Sequence, residues 1–431
     1  MQNSVQHNIK VLFTRTLYDT LAYTVEKMSL RTAPPVLVAL GGKVIAYAFY
    51  FCPGVAEMLI GLWELHPSTV RRVLPEFGIG RGADLKGVSD GVLCEFPDTL
   101  HHMGFTTLAS AVRRMRKPVT PPVAVQVDWH GSWKNRWCGH DSDLLFVFFK
   151  YYHILMCDYL PPDATPAARL CAPGYVYVLA QTLLLVDNTV HRQPLPGAVE
   201  SMTPSTTFED VLNATAALPL PVRNEARTMA ENKLVLLLQD MLFDNNCLHI
   251  CREFFAQSFV AMLKAAVRRT GLYDSDACFM LYDLVEELLP LLSRAAKQGI
   301  GDYIDWKFWL EVAQTMLQSE NNMTELRVLS FLYTMWDILV EDAGRKETVC
   351  LKWLLSTPIW ERFFCHWCPM VRAYYMRLLC WKLGRYDGDA SELDVYVLSF
   401  LEIDTEANTM QRDIQDCAAP VTKWLCASYP A

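Results

Sequence analysis

Between Thr357 and Arg385 the chain reads TPIWERFFCHWCPMVRAYYMRLLCWKLGR, and this stretch restricts the fold more than any other. Val371, Tyr375, Leu378, Leu379 and Lys382 step by three and four residues while Arg372 and Arg377 fall elsewhere, the periodicity of a helix buried along one side. Pro369 suits a first helical turn, where the absent N–H would have no intrahelical acceptor, and it steers Cys368 away from helical dihedrals. Two short helices folded back at Pro369 are therefore predicted. The same pattern predicts helices over 224–243, 247–269, 274–297, 302–319, 322–341, 345–355, 389–402 and 407–427, punctuated by Gly271, Gly299, Gly301, Gly344 and Gly388. No strand pattern is present in this half, and the short connections imply antiparallel neighbours.

The first half is less regular. Ile9, Leu12, Phe13, Leu17, Leu21, Val25 and Met28 lie on one face of a helix over 4–29. Residues 36–63 are the most hydrophobic part of the chain, but their uncharged run from Val44 to Ala56 is broken at Pro53-Gly54, short of the roughly 20 apolar residues of a membrane span. A buried helical hairpin is the primary reading there, with a span as the alternative. Residues 78–97 hold five glycines without helical period and read as a long loop; a helix over 98–117 follows. Residues 118–140 are a second long loop, with alternation at VAVQV. Asp141 or Ser142 caps an aromatic helix, Leu144 to Tyr159, and Leu170–Val186 contains a core helix after Pro173-Gly174. Residues 190–222, rich in Pro, Ser and Thr, form a linker at Leu218–Val222. This divides the chain into an N-terminal helical region, 1–217, and a C-terminal helical-repeat region, 218–431.

An apolar content of 52% and a mean hydropathy of +0.12 exclude a disordered chain. Net charge is −8, yet residues 1–120 carry 13 Lys plus Arg against 9 Asp plus Glu. The cationic quarter favours an anionic membrane surface or an acidic partner, and the acidic remainder argues against a nucleic-acid groove along the protein. Fourteen cysteines at irregular spacing, and a first thirty residues dotted with Lys10, Arg15, Asp19, Glu26 and Lys27, predict reduced thiols and a cytoplasmic, membrane-associated location.

No catalytic signature stands out. Gly78, Gly80 and Gly82 match neither GxGxxG nor a Walker loop, and GxSxG is absent. Cys365-His366-Trp367-Cys368 has zinc-ligand spacing and Cys247 and Cys251 lie one helical turn apart, but a structural zinc needs four ligands and each pair stands alone. No metal or cofactor is expected. His101 or His102, His140-Asp141 and Asp187 share the order of an HD-type metal phosphohydrolase, an all-helical alternative. The candidate partner-binding residues are Arg113, Arg114, Arg116 and Lys117, whose bland account is a favourable helix C-terminus, and Trp129, Trp133 and Trp137, which either face a partner or plug their loop.

Pro369, Val371-Arg372 and Leu378-Leu379 resemble the second helix of a HEAT or armadillo repeat, and Leu326-Arg327-Val328-Leu329 with Phe331, Leu332 and Trp336 forms a weaker copy 45 residues upstream. The segments Cys138–His153, Met58–Trp63 and HWCPMVRAYYMRLLCW resemble an uncharacterised fungal domain family, often described as membrane proteins on hydropathy. The resemblance spans about residues 10–385 and implies no known activity. The resulting expectation is an all-α chain of stacked antiparallel hairpins, armadillo/HEAT-like or an irregular helical array. Such a chain acts as a non-enzymatic scaffold for protein partners at a membrane surface, with an integral membrane protein or a phosphohydrolase as alternatives.

Overall fold

A computed structural model describes residues 2–117, 127–138, 143–191, 229–244 and 247–383. Among the described residues the secondary structure is helical and no strand occurs. The chain forms two compact units, one ending at Leu310 and one beginning at Glu311.

The first unit is organised around α2 (Pro35–Phe51) and α8 (Asp143–Tyr159), which pack along their lengths, with α1 (Gln2–Met28) also packed on α2. The approach of α2 to α8 depends on Gly42, where an added Cβ would stand 2.6 Å from Val147 Cβ and 2.9 Å from the Leu144 carbonyl oxygen. The chain then turns through left-handed Gly54 into α3 (Val55–Gly61). The buried-hairpin reading of residues 36–63 therefore holds, and no described helix is long and apolar enough to cross a membrane.

A second layer is centred on α10 (Tyr175–Val190), buried at nearly every position by α4 (Pro67–Val73), α12 (His249–Val267) and α13 (Ser275–Lys297). The buried carboxylate of α10 is held between helices: Arg72 donates to Asp187 at 2.5 and 2.9 Å and to the Ala265 carbonyl at 2.9 Å, and Arg269 donates to Asp187 at 2.9 Å. The helix α11 (Lys233–Phe243) joins this layer, packing on α8, α12 and α13. Lys150 bridges Asp240 and Asp244, both at 2.7 Å; burial pulls its pKa down, but the two carboxylates outweigh that and leave it raised.

In the second unit the hairpin at Pro369 is present: α18 (Thr357–Phe364) packs on α19 (Pro369–Leu378), and Val371, Tyr375, Leu378 and Leu379 are buried as their spacing requires. The helix α15 (Asn322–Thr334), which carries the weaker copy of the motif, packs directly on α19. Its Glu325 is fully buried against Arg362, with His366 Nε2 at 3.2 Å. Two segments, Thr348–Leu354 and Leu379–Leu383, adopt the wider π-helical winding, which a 3.6-residue period does not foresee.

Three expectations need correction. Residues 78–97 are not wholly loop: α5 (Lys86–Leu93) forms within them because Ser89 and Leu93 are buried and the Leu85 N–H is satisfied by Thr106 O at 2.9 Å. That docking outweighs the roughly 1 kcal/mol that each helical glycine costs. The helix expected over 98–117 is broken into a 3-10 turn, Asp98–Met103, and α6 (Leu108–Arg116), which a reciprocal Thr107–Ser110 cap starts afresh. The apolar face of α1 is buried at Leu21, Val25 and Met28, but Ile9 and Leu12 are 62% and 66% exposed, and they precede Phe13, where the last residue of α2, Phe51, meets α1 edge-on. The segment VAVQV up to its last residue, the linker at Leu218–Val222 and the helices predicted over 389–402 and 407–427 lie outside the described residues.

Candidate anion-binding groove

The cationic residues picked out from the sequence end α6, and the structure separates them by role. Arg114 points inward, donating to Gly104 O at 3.4 Å and to the Tyr177 hydroxyl at 3.3 Å; that hydroxyl in turn donates to Ala111 O at 3.2 Å. The Arg114 side chain therefore fastens α6 to α10. Arg113, Arg116 and Lys117 are exposed.

Leu108, Ala109, Val112, Arg113 and Arg116 form one stripe along α6, spaced so that each falls on the same side of the helix. Facing them are Arg71 from α4 and Arg81 from the loop after the 3-10 turn Leu74–Phe77, and together these seven residues line a groove of about 550 Å³. Arg71 owes its position to its neighbour. Arg72 is drawn into the Asp187 clamp, and the next residue along a helix projects about 100° away. Arg81 is delivered by Gly78, whose left-handed φ of 71° ends the 3-10 turn. Among the described residues none of the four groove arginines is in an ion pair or hydrogen bond, for Glu76 is taken by Arg268 and Asp84 caps Lys86. Sequence reading found Arg113 and Arg116 but missed Arg71 and Arg81, which are 32 to 45 residues away and carry no local signal.

A second cleft of about 580 Å³ lies on the other side of Arg113, lined among others by Glu57, His102, Ser110, Arg114 and Tyr177. His102 Nε2 contacts Glu57. Burial would raise the Glu57 carboxyl, but the hydrogen bond with His102 and the nearby Arg114 hold it below its ordinary value. Ser110 is no activated nucleophile there, because its hydroxyl donates to Thr107 O at 2.7 Å and completes the helix cap.

The tryptophans are core. Trp129, Trp133 and Trp137 are buried, Trp137 stacks on Trp63 at 5.2 Å and meets Phe148 edge-on at 4.8 Å, and its indole N–H donates to Leu59 O at 3.0 Å. Trp133 donates to Asp128 O at 2.8 Å. The rings plug the loop against α8, and no face is left for a partner.

The described members of the phosphohydrolase order are each engaged elsewhere. His101 bonds Phe96 O, His102 bonds Glu57, Asp187 is held by two arginines, and His140 and Asp141 lie outside the described residues. Of the zinc-spaced residues, Cys365 is exposed while His366 is buried toward Glu325, and Cys247 and Cys251 are buried thiols whose pKa values are pushed well up, chiefly by hydrogen bonding among neighbouring thiols and by burial. Among the described residues no group of His, Cys, Asp and Glu is arranged to hold a metal ion.

The class these observations define is an all-α protein with an arginine-lined groove and no assembled catalytic constellation among its described residues. Residues 259–383 match a family described as Protein of unknown function (DUF1765). Over 401 residues the chain is 23% identical to the UPF0592 membrane protein C7D4.03c of Schizosaccharomyces pombe, covering 89% of this chain and 43% of that protein. The chain thus spans less than half the length of this relative, and the resemblance to an uncharacterised fungal family is borne out. No solved structure matches.

Proposed function

We propose that this chain is a non-catalytic helical scaffold that attaches to an anionic membrane surface through α6 and its surroundings, leaving its other helical faces to protein partners. The observation that carries this reading is the set of four arginines without a counter-charge around one groove, with exposed Lys117 beside them. Each Lys or Arg brought near an anionic leaflet contributes roughly 1 kcal/mol. The printed name of the Schizosaccharomyces pombe relative, a membrane protein, supports the same direction. With no described helix suited to crossing the bilayer, surface attachment accounts for such a name without a span. The repeat-like packing of α15 on α19 supports a scaffold, since stacked helices present broad surfaces rather than deep pockets.

Sedimentation with phosphatidylcholine vesicles, with and without phosphatidylserine, tests this. The full chain pellets with the anionic vesicles only, and less so at high salt. Arg113→Glu, Arg116→Glu and Lys117→Glu together weaken the association by on the order of tenfold or more. Equal binding to both vesicle types, or indifference to the three reversals, refutes the reading, and resistance to carbonate extraction would favour an integral membrane protein instead.

A further inference from the structure

We propose that the groove between α4 and α6 is a pocket for a polyol carrying two or more phosphate groups, presented as a lipid headgroup; the lipid source rests on the membrane-surface reading above. Helix ends explain only part of the cationic cluster. Arg71, Arg113 and Arg116 lie in last helical turns, where a cation is favoured by the dipole, but Arg81 belongs to no helix and still joins the same groove. Four guanidinium groups around about 550 Å³ exceed what a single phosphate, with its charge of about −1.5 to −2, would neutralise. Arginine's planar fork suits phosphate oxygens pairwise. The remaining lining, Leu108, Ala109 and Val112, is apolar and gives a carbon ring a surface to rest on. Among the described residues no aromatic side chain lines the groove to stack a nucleobase upon. A phosphopeptide shares the charge but gains nothing from an anionic bilayer, to which exposed Lys117 would add its attraction.

The test uses the full chain and three probes: vesicles containing a bisphosphorylated phosphoinositide, vesicles of equal surface charge made with phosphatidylserine, and the free inositol trisphosphate headgroup. Binding to the phosphoinositide vesicles is expected to exceed binding to the charge-matched vesicles by about tenfold. In Arg71→Gln/Arg81→Gln that ratio falls toward one, and Arg71→Lys/Arg81→Lys, which keeps the charge but loses the fork, gives an intermediate ratio. Both positions are exposed, and circular dichroism verifies that each variant keeps its helices. A ratio of one in the unmodified chain overturns the pocket while leaving general attachment to anionic membranes standing. Binding of the free headgroup, lost in the Gln variant and unaccompanied by binding to either vesicle, supports the pocket with a soluble ligand and overturns the membrane reading. Preference for a doubly phosphorylated peptide over all three probes overturns the proposal.

Discussion

His153 is fully enclosed between Tyr152, Tyr175 and Phe255, and its Nδ1 hydrogen faces Phe149 O at 2.7 Å. Burial lowers its pKa from 6.5 to about 4, outweighing that backbone contact, so the folded protein holds a neutral ring. Between pH 6.5 and 4 the unfolded chain takes up a proton that the fold refuses. Stability present above pH 6.5 is therefore lost as pH falls toward 4, by on the order of 3 kcal/mol from this group. Urea unfolding at pH 7.5 and pH 5 measures it: His153→Gln shows a smaller drop between the two pH values than the unmodified chain, and equal drops would contradict the burial. At the same scale, Asp187 is buried with Arg72 and Arg269 upon it. Asp187→Asn leaves both guanidiniums without their counter-charge and is expected to lower stability by about 1–3 kcal/mol, less than for a fully buried pair because Arg269 is more than half exposed. Urea midpoints followed by tryptophan fluorescence provide the measure, and Arg72→Met in the same background should restore part of the loss.

Helices declared themselves in the sequence where one face meets the core and the other meets water, as in α19, where Val371, Tyr375 and Leu378 are buried and Arg377 is not. They were harder to read where burial is nearly complete. The helix α10 has almost no polar face, so its length followed from Pro173-Gly174 rather than from amphipathicity. Glycine content misled at α5, because Gly87 and Gly91 lower helix propensity while Ser89 and Leu93 anchor the helix from inside. Closeness between elements was invisible from either partner alone. Gly42→Leu tests the tightest such contact: with Val147 and the Leu144 carbonyl in the way, overpacking is expected to lower stability by about 1–3 kcal/mol or more, read as a fall in the thermal midpoint. An unchanged midpoint would mean that α2 and α8 separate without penalty.

At the scale of the whole molecule, the all-α class and the cationic character of the N-terminal quarter were legible from period and charge. The groove was only half legible. Arg113 and Arg116 stood out as part of a basic run, whereas Arg71 and Arg81 enter through the docking of α4 and a single left-handed glycine. The tryptophans show the reverse limitation, for a four-residue spacing among polar neighbours fits an exposed face as well as the buried stack that Trp63, Trp137 and Phe148 make. Trp137→Ala is expected to remove about 3–5 kcal/mol from the first unit, measured by chemical denaturation. It should leave the arginine groove, which that ring does not line, able to hold its anion wherever the unit remains folded.

The contact between Gly42 and Val147 has a hereditary corollary. The missing Cβ at 42 is matched to the Cβ of a residue 105 positions away and to a main-chain oxygen, atoms that a change of side chain at 147 to anything but glycine leaves in place. In diverging copies of this chain glycine should therefore persist at 42 whatever apolar residue stands at 147, since alanine there keeps the same Cβ.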